Sequence, residues 1–222
     1  MSPSKTSAEP VRDPQLDPLL TPENCVVVFI DYQEGQYATI SSASREHINL
    51  GVTTLAKLAR AYNLPTILST VGVGLGVNEA TVPELTAELP DVAEIDRTGV
   101  NSWEDPDFRS AVERSGRRKI VIAGLWTEVC LAFPSLDMLR EGYEVYPVVD
   151  AVGGVSQVTH DTAIQRLVQA GAQPVTALSF GSELMRNWAR PESDRFRTII
   201  NDYFRRKRAI DNAGHNSLDY SH

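Results

Sequence analysis

The sequence predicts a three-layer α/β domain, a doubly wound parallel sheet with helices on both faces, and three observations carry that reading. Six short runs rich in apolar residues are spread along the chain. The segments between them repeat their apolar residues with helical period, so strand and helix alternate throughout. The first run closes on an acid, the pattern of a central parallel strand buried on both faces. Alternation of this kind requires right-handed crossovers, which place a ligand site at the carboxyl ends of the strands where the strand order reverses.

In chain order the runs are Cys25-Val26-Val27-Val28-Phe29-Ile30-Asp31, then residues 64–70, a weaker 93–97, 119–124, 143–150, and a sixth at 173–178. Helical period fills 45–62, 82–89, 107–114, 127–141 and 159–170. Beyond Phe180, the rows Leu184, Met185, Trp188 and then Phe196, Ile199, Ile200, Tyr203 pack on the domain or on another subunit. The expected organisation is a mobile leader over 1–20, one α/β domain over 21–190, a helical extension over 191–208 and a frayed polar tail over 209–222.

At 222 residues the chain is long enough for one well-packed domain. A net charge of -8 repels nucleic acid and anionic membranes, and no run approaches the roughly 18 apolar residues of a membrane span. The expectation is a soluble cytoplasmic protein with no nucleic-acid or membrane partner, and with Cys25 and Cys130 reduced. The histidines, His47, His160, His215 and His222, show no ligand spacing, so neither a metal nor a cofactor is expected.

The most informative segment is Gly124-Leu125-Trp126-Thr127-Glu128-Val129-Cys130, which passes from a strand directly into a helix. With Thr127 as N-cap, Cys130 falls near the third helical position, where the helix dipole lowers a thiol pKa toward neutrality and free N–H groups face an oxyanion. The competing reading is a small buried hydrophobe, the commonest fate of a free cysteine, and it is retained for Cys25. Asp31 meets Cys130 if the first and fourth strands are neighbours, and a partly desolvated carboxylate there takes the thiol proton. Arg97 closes the third strand, either as a cation serving that pair or as the surface partner of Asp96. Gly72-Val73-Gly74-Leu75-Gly76 lacks the spacing of a nucleotide loop and reads as a flexible rim, and Gly153-Gly154 reads as a turn.

Together, Ile30-Asp31-Tyr32-Gln33, Arg97 with Asn101-Ser102-Trp103, and Gly124 through Thr127-Glu128-Val129-Cys130 resemble the isochorismatase-like cysteine hydrolases over about residues 21–188. Val82-Pro83-Glu84-Leu85, Ala132-Phe133-Pro134 and Gln169 through Gln173 look most like the YcaC-type branch. The resemblance implies a Rossmann-like six-stranded sheet and a triad of Asp31, Arg97 and Cys130. It also implies a cis peptide at Trp126-Thr127, oxyanion or substrate contacts from Trp126, Thr127, Gln33 and Trp103, and a homo-oligomer, an octamer by analogy. Many relatives have lysine where Arg97 stands, and the Asp-x-His metal pattern of nicotinamidases is missing after the second strand. Three readings follow: a thiol amidohydrolase acting on a small molecule, an ester or enol-ether hydrolase, and a catalytically silent oligomer that binds a small molecule.

Overall fold

The computed structural model describes residue 10 and residues 12–218. Five parallel strands, β1 (Cys25–Ile30), β2 (Thr66–Val71), β3 (Glu94–Arg97), β4 (Lys119–Gly124) and β5 (Glu144–Pro147), form one sheet in the order β3-β2-β1-β4-β5. Every residue of β1 and β4 is buried, which is why β1 and, after Lys119, β4 read as continuous apolar runs rather than alternating ones. The order reverses between β1 and β4, whose register pairs Ile30 with Gly124, while Val71 of β2 pairs with Arg97 of β3. The carboxyl ends of β1, β3 and β4 therefore deliver Asp31, Arg97 and the segment leading to Cys130 to one rim.

The sixth run is not a strand. Gln173 and Val175 donate their N–H groups to Val145 O and Pro147 O of β5, both at 2.9 Å, and one parallel bridge joins Val148 to Val175. Pro174 lacks an N–H, and Thr176 already caps the next helix by accepting the Ser179 N–H, so the ladder has no room to continue. The sheet is accordingly five-stranded.

The helices are α1 (Glu34–Tyr37), α2 (Arg45–Ala61), α3 (Pro83–Thr86), α4 (Pro106–Arg114), α5 (Ala132–Arg140), α6 (Gln157–Gln169), α7 (Ala177–Met185) and α8 (Ser193–Leu218). Side-chain caps fix several starts: Ser44 for α2, Asp105 with Pro106 for α4, and Ser156 with Thr159 for α6. α2 packs against α3, α7 and α8, and α5 against α6, so the two helical layers cover opposite faces of the sheet. Among the described residues no helix is long and apolar enough to cross a membrane.

Both ends are described in part. Lys119 is buried and its Nζ donates to the carbonyls of Asp17 and Pro18 at 2.8 and 2.7 Å, so the end of the leader is pinned to the foot of β4. α8 runs through the polar stretch expected to fray, to Leu218, because polar helix formers still propagate a helix and pairs such as Lys207–Asp211 at 2.7 Å add to it. Residues 1–9, 11 and 219–222 of the expected leader and tail lie outside the described residues.

One close approach makes α2 intolerant of change. A Cβ on Gly51 would stand 2.0 Å from the backbone oxygen of Asp150, which cannot move aside as a side chain can. Gly51→Ala is expected to destabilise the fold by about 3 kcal/mol. A melting temperature by circular dichroism equal to that of the parent protein would overturn this.

Candidate active site

β1 ends by turning Asp31 into the left-handed region, at φ 60. A non-glycine residue held there costs roughly 1–2 kcal/mol, although aspartate tolerates it better than most. Asp31 N–H donates to Ser69 O and Asp31 O accepts from Gln33 N–H, both at 2.9 Å, so the turn is fixed on both sides. The result is a carboxylate with no solvent exposure at the strand rim.

Arg97 meets that carboxylate with both terminal nitrogens, Nη1 to Oδ1 at 2.9 Å and Nη2 to Oδ2 at 2.8 Å. Its remaining terminal donors reach Thr70 O at 3.1 Å and Val100 O at 3.2 Å, and its side chain is fully buried. Asp96 is not its partner. That acid accepts instead from the N–H groups of Val73 and Gly74 and from the Thr70 hydroxyl, which ties the glycine-rich rim loop to β3. The Val100 carbonyl is presented by the Asn101-Ser102-Trp103 motif, since Asn101 Nδ2 donates to Asp137 Oδ2 at 2.7 Å and Trp103 Nε1 to Glu141 Oε1 at 3.0 Å, both on or beside α5.

Cys130 lies 5 % exposed and close enough to Asp31 for the two groups to shift each other's titration. The segment Thr127–Leu131 is a π-helical turn, and α5 begins only at Ala132 without a side-chain cap. Thr127 therefore does not cap: its hydroxyl is engaged with His160 Nδ1 at 2.9 Å and its N–H with Gly153 O at 3.0 Å. The cis peptide is Leu125-Trp126, one residue before the expected position.

The electrostatics reverse the sequence expectation for Cys130. Burial pushes its thiol well above the ordinary value and the neighbouring Asp31 charge and hydrogen bond push the same way, with Arg97 and the Trp126 N–H opposing. Burial also raises the Asp31 carboxyl, against the hydrogen bond and charge of Arg97. With the carboxylate held by a guanidinium whose charge is permanent, the proton rests on sulfur and the pair is a thiol beside a base. The helix terminus does not lower the thiol because desolvation outweighs a dipole over one short turn. Alkylation of Cys130 by iodoacetamide should therefore keep rising with pH beyond about 8.5, the ordinary thiol value. A plateau reached by neutral pH, read by peptide mass, would mean a resting thiolate and overturn the assignment.

The other residues expected at the site divide in two. Trp126 is half-buried over the rim, its Nε1 donating to Thr39 Oγ1 at 2.8 Å. Gln33 is fully buried and its carboxamide is engaged with Val71 N and O and with Glu79 O, so it braces the rim between β2 and the following loop. Trp103 packs edge-on against Tyr143, with ring centroids 5.4 Å apart, and lies under the Arg109 guanidinium; it supports Val100 from behind the site. His160 is the participant that sequence reasoning missed, since nothing in its neighbourhood marks it apart from the capped helix it stands on. Cys25 donates to Thr21 O at 3.1 Å, and burial holds its thiol up at about 12, a core residue as expected. Among the described residues no group of three or more His, Cys, Asp or Glu side chains is arranged to hold a metal.

The doubly wound sheet carries a buried acid, cation and cysteine at its switch point, and the isochorismatase domain matches residues 25–179 of the chain. The protein belongs to the isochorismatase family and is a hydrolase of that family. Within it the chain falls in the YcaC-type branch. It is 39% identical over 170 residues to the probable hydrolase YcaC of Escherichia coli K12, covering 76% of this chain and 81% of that protein. The structure of YcaC from Pseudomonas aeruginosa, which contains hexane-2,5-diol and covalent acrylamide, superposes with a TM-score of 0.81 at 37% identity over 89% of this chain and 98% of that one. The Escherichia coli YcaC structure, described as an octameric hydrolase of unknown specificity, gives 0.78 at 35% identity with the same coverage.

Proposed function

We propose that the protein is a cysteine amidohydrolase that cleaves a carbon–nitrogen bond of a small molecule through a thioester on Cys130. What supports this best is the buried Cys130 standing beside a carboxylate that Arg97 holds by both terminal nitrogens. As Cys130 Sγ attacks the substrate carbonyl carbon, its proton passes to Asp31 and the carbonyl π pair moves to oxygen. Thr127 N–H is engaged with Gly153, which leaves the amides of Glu128 and Cys130 as donors not committed to a carbonyl outside the turn, and the oxyanion sits against them. Collapse breaks the C–N bond, and the Asp31 proton leaves with the amine. Water then attacks the thioester, giving its proton to Asp31 and releasing the acid as sulfur recovers a proton.

Arg97 in this scheme keeps Asp31 in place and offsets its charge, without exchanging a proton itself. Trp126 forms part of the substrate wall. By analogy with the octameric Escherichia coli relative, this chain works as a homo-oligomer, in the cytoplasm, where its two free cysteines stay reduced.

The test is a panel of small aliphatic and aromatic amides, scored by ammonia release and by intact mass after acid quench. The expected result is an acyl adduct that maps to Cys130 and disappears with hydroxylamine. Ammonia release without any adduct on that peptide, under conditions where acylation outruns hydrolysis, would exclude the thioester route.

A further inference from the structure

The turn carrying Cys130 is held from outside by groups that the proposed reaction does not use. Thr127 is fully buried at its head, with Oγ1 2.9 Å from His160 Nδ1 and N–H bonded to Gly153 O at 3.0 Å. Glu128 Oε1 accepts the Val155 N–H at 3.0 Å. Gly154 fits so closely between these groups that a Cβ there would stand 2.6 Å from Glu128 Oε2 and 3.1 Å from His160 Cβ. The same glycine accepts from the N–H groups of Ser41 and Ser42 and donates to Ser42 Oγ at 2.8 Å. α6, the 153–155 corner and the cysteine turn thus pack as one unit, joined through a titratable ring.

We propose that His160 is a positioning residue for Cys130: its neutral ring fixes the Thr127 hydroxyl and with it the π turn, and a proton added to the ring loosens the turn. The neutral imidazole has one donor and one acceptor nitrogen, and we assign the tautomer with the proton on Nε2, which leaves Nδ1 to accept the Thr127 hydroxyl proton. Once charged, both nitrogens donate, so the Thr127 hydroxyl loses Nδ1 as its acceptor and must turn its proton elsewhere within a fully buried site. Burial opposes charge on the ring and shifts its titration downward, while Asp161 on its own helix and Glu128 on the cysteine turn act the other way. The loosened state therefore belongs to the acid side, below the ordinary histidine value of 6.5. Nothing in the spacing of the cysteine motif requires this ring, which stands 33 residues further along the chain.

The kinetic consequence rests on Cys130 as the nucleophile; the positioning does not. The experiment uses the full-length protein labelled with 5-fluorotryptophan, with the Trp126 fluorine resonance assigned by Trp126→Phe, together with iodoacetamide alkylation of Cys130 followed by peptide mass. His160→Asn keeps an acceptor at the place of Nδ1 without titrating, and His160→Leu removes the hydrogen bond. In the parent protein the Trp126 resonance should show an inflection below 6.5 that alkylation follows, and both inflections should vanish in His160→Asn. In His160→Leu alkylation should fall about tenfold across the pH range. Identical Trp126 and alkylation profiles for the parent and His160→Asn would overturn the proposal, and that comparison decides the matter even if His160→Leu fails to fold. A Cys130 that resists alkylation in every variant would count against the nucleophile alone, since the fluorine inflection and its loss still decide the role of His160.

Discussion

Cys130→Ala is expected to cut amide turnover by about three orders of magnitude or more, with substrate binding little changed. The size follows from what remains. Asp31 would still be oriented by Arg97 and could activate a water molecule, but that water is a weaker nucleophile and is not fixed by a covalent turn against the carbonyl. Cys130→Ser should recover little, because the Asp31 carboxylate must then remove a far less acidic proton. Asp31→Asn should fall into the same range, since it leaves a thiol that burial already keeps protonated and takes away its acceptor. The measurement is kcat for ammonia release, with melting temperature as the check that each variant folds. Turnover in Cys130→Ala within a few-fold of the parent would take the cysteine out of the chemistry and leave a water-based hydrolase.

The strands that position this site were legible because a parallel strand buried on both faces has to be apolar throughout, as Cys25–Ile30 and the interior of Lys119–Gly124 are. Asp31 and Cys130 were legible as a pair because the switch point follows from crossover handedness and the position of each residue at a strand end. Other features depend on contacts that local sequence does not encode. Arg97 had two acids in reach on paper, and only the register of β2 with β3 turns it toward Asp31 and leaves Asp96 to the rim loop. The π turn replaces the expected cap because Thr127 finds a partner in His160 on a helix distant in sequence. The Cys130 thiol moves opposite to the sequence expectation for the same reason: a helix dipole acts locally, whereas burial is a property of the finished core. The sixth run failed as a strand through its own residues, Pro174 and the capping Thr176, and that signal was available in the sequence.

Arg97→Met is expected to destabilise the protein by about 3–5 kcal/mol, the largest stability effect of any substitution at the site. The reason is the uncompensated charge rather than the missing hydrogen bonds: Asp31 would keep a buried carboxylate with no cation beside it. The thermodynamic sign is set by Asp31, whose carboxyl burial already raises against the pull of Arg97. Without Arg97 the folded-state value rises further above the unfolded value of about 3.9, so the unfolded chain ionises first. The deficit should therefore be smallest at acid pH, where Asp31 is protonated in both states, and should grow as pH rises toward the new folded-state value. Arg97→Lys, which keeps a charge but not the two-point contact, should lie between Met and the parent. The double variant Asp31→Asn/Arg97→Met removes both charges and should be more stable at neutral pH than Arg97→Met alone, although it carries one more substitution. Urea midpoints for the parent, the two single variants and the double variant form a closed cycle, with an expected coupling of about 2 kcal/mol or more. A double variant whose loss equals the sum of the single losses would mean that Arg97 and Asp31 contribute independently, and that the guanidinium does not hold the base in the form on which the chemistry depends.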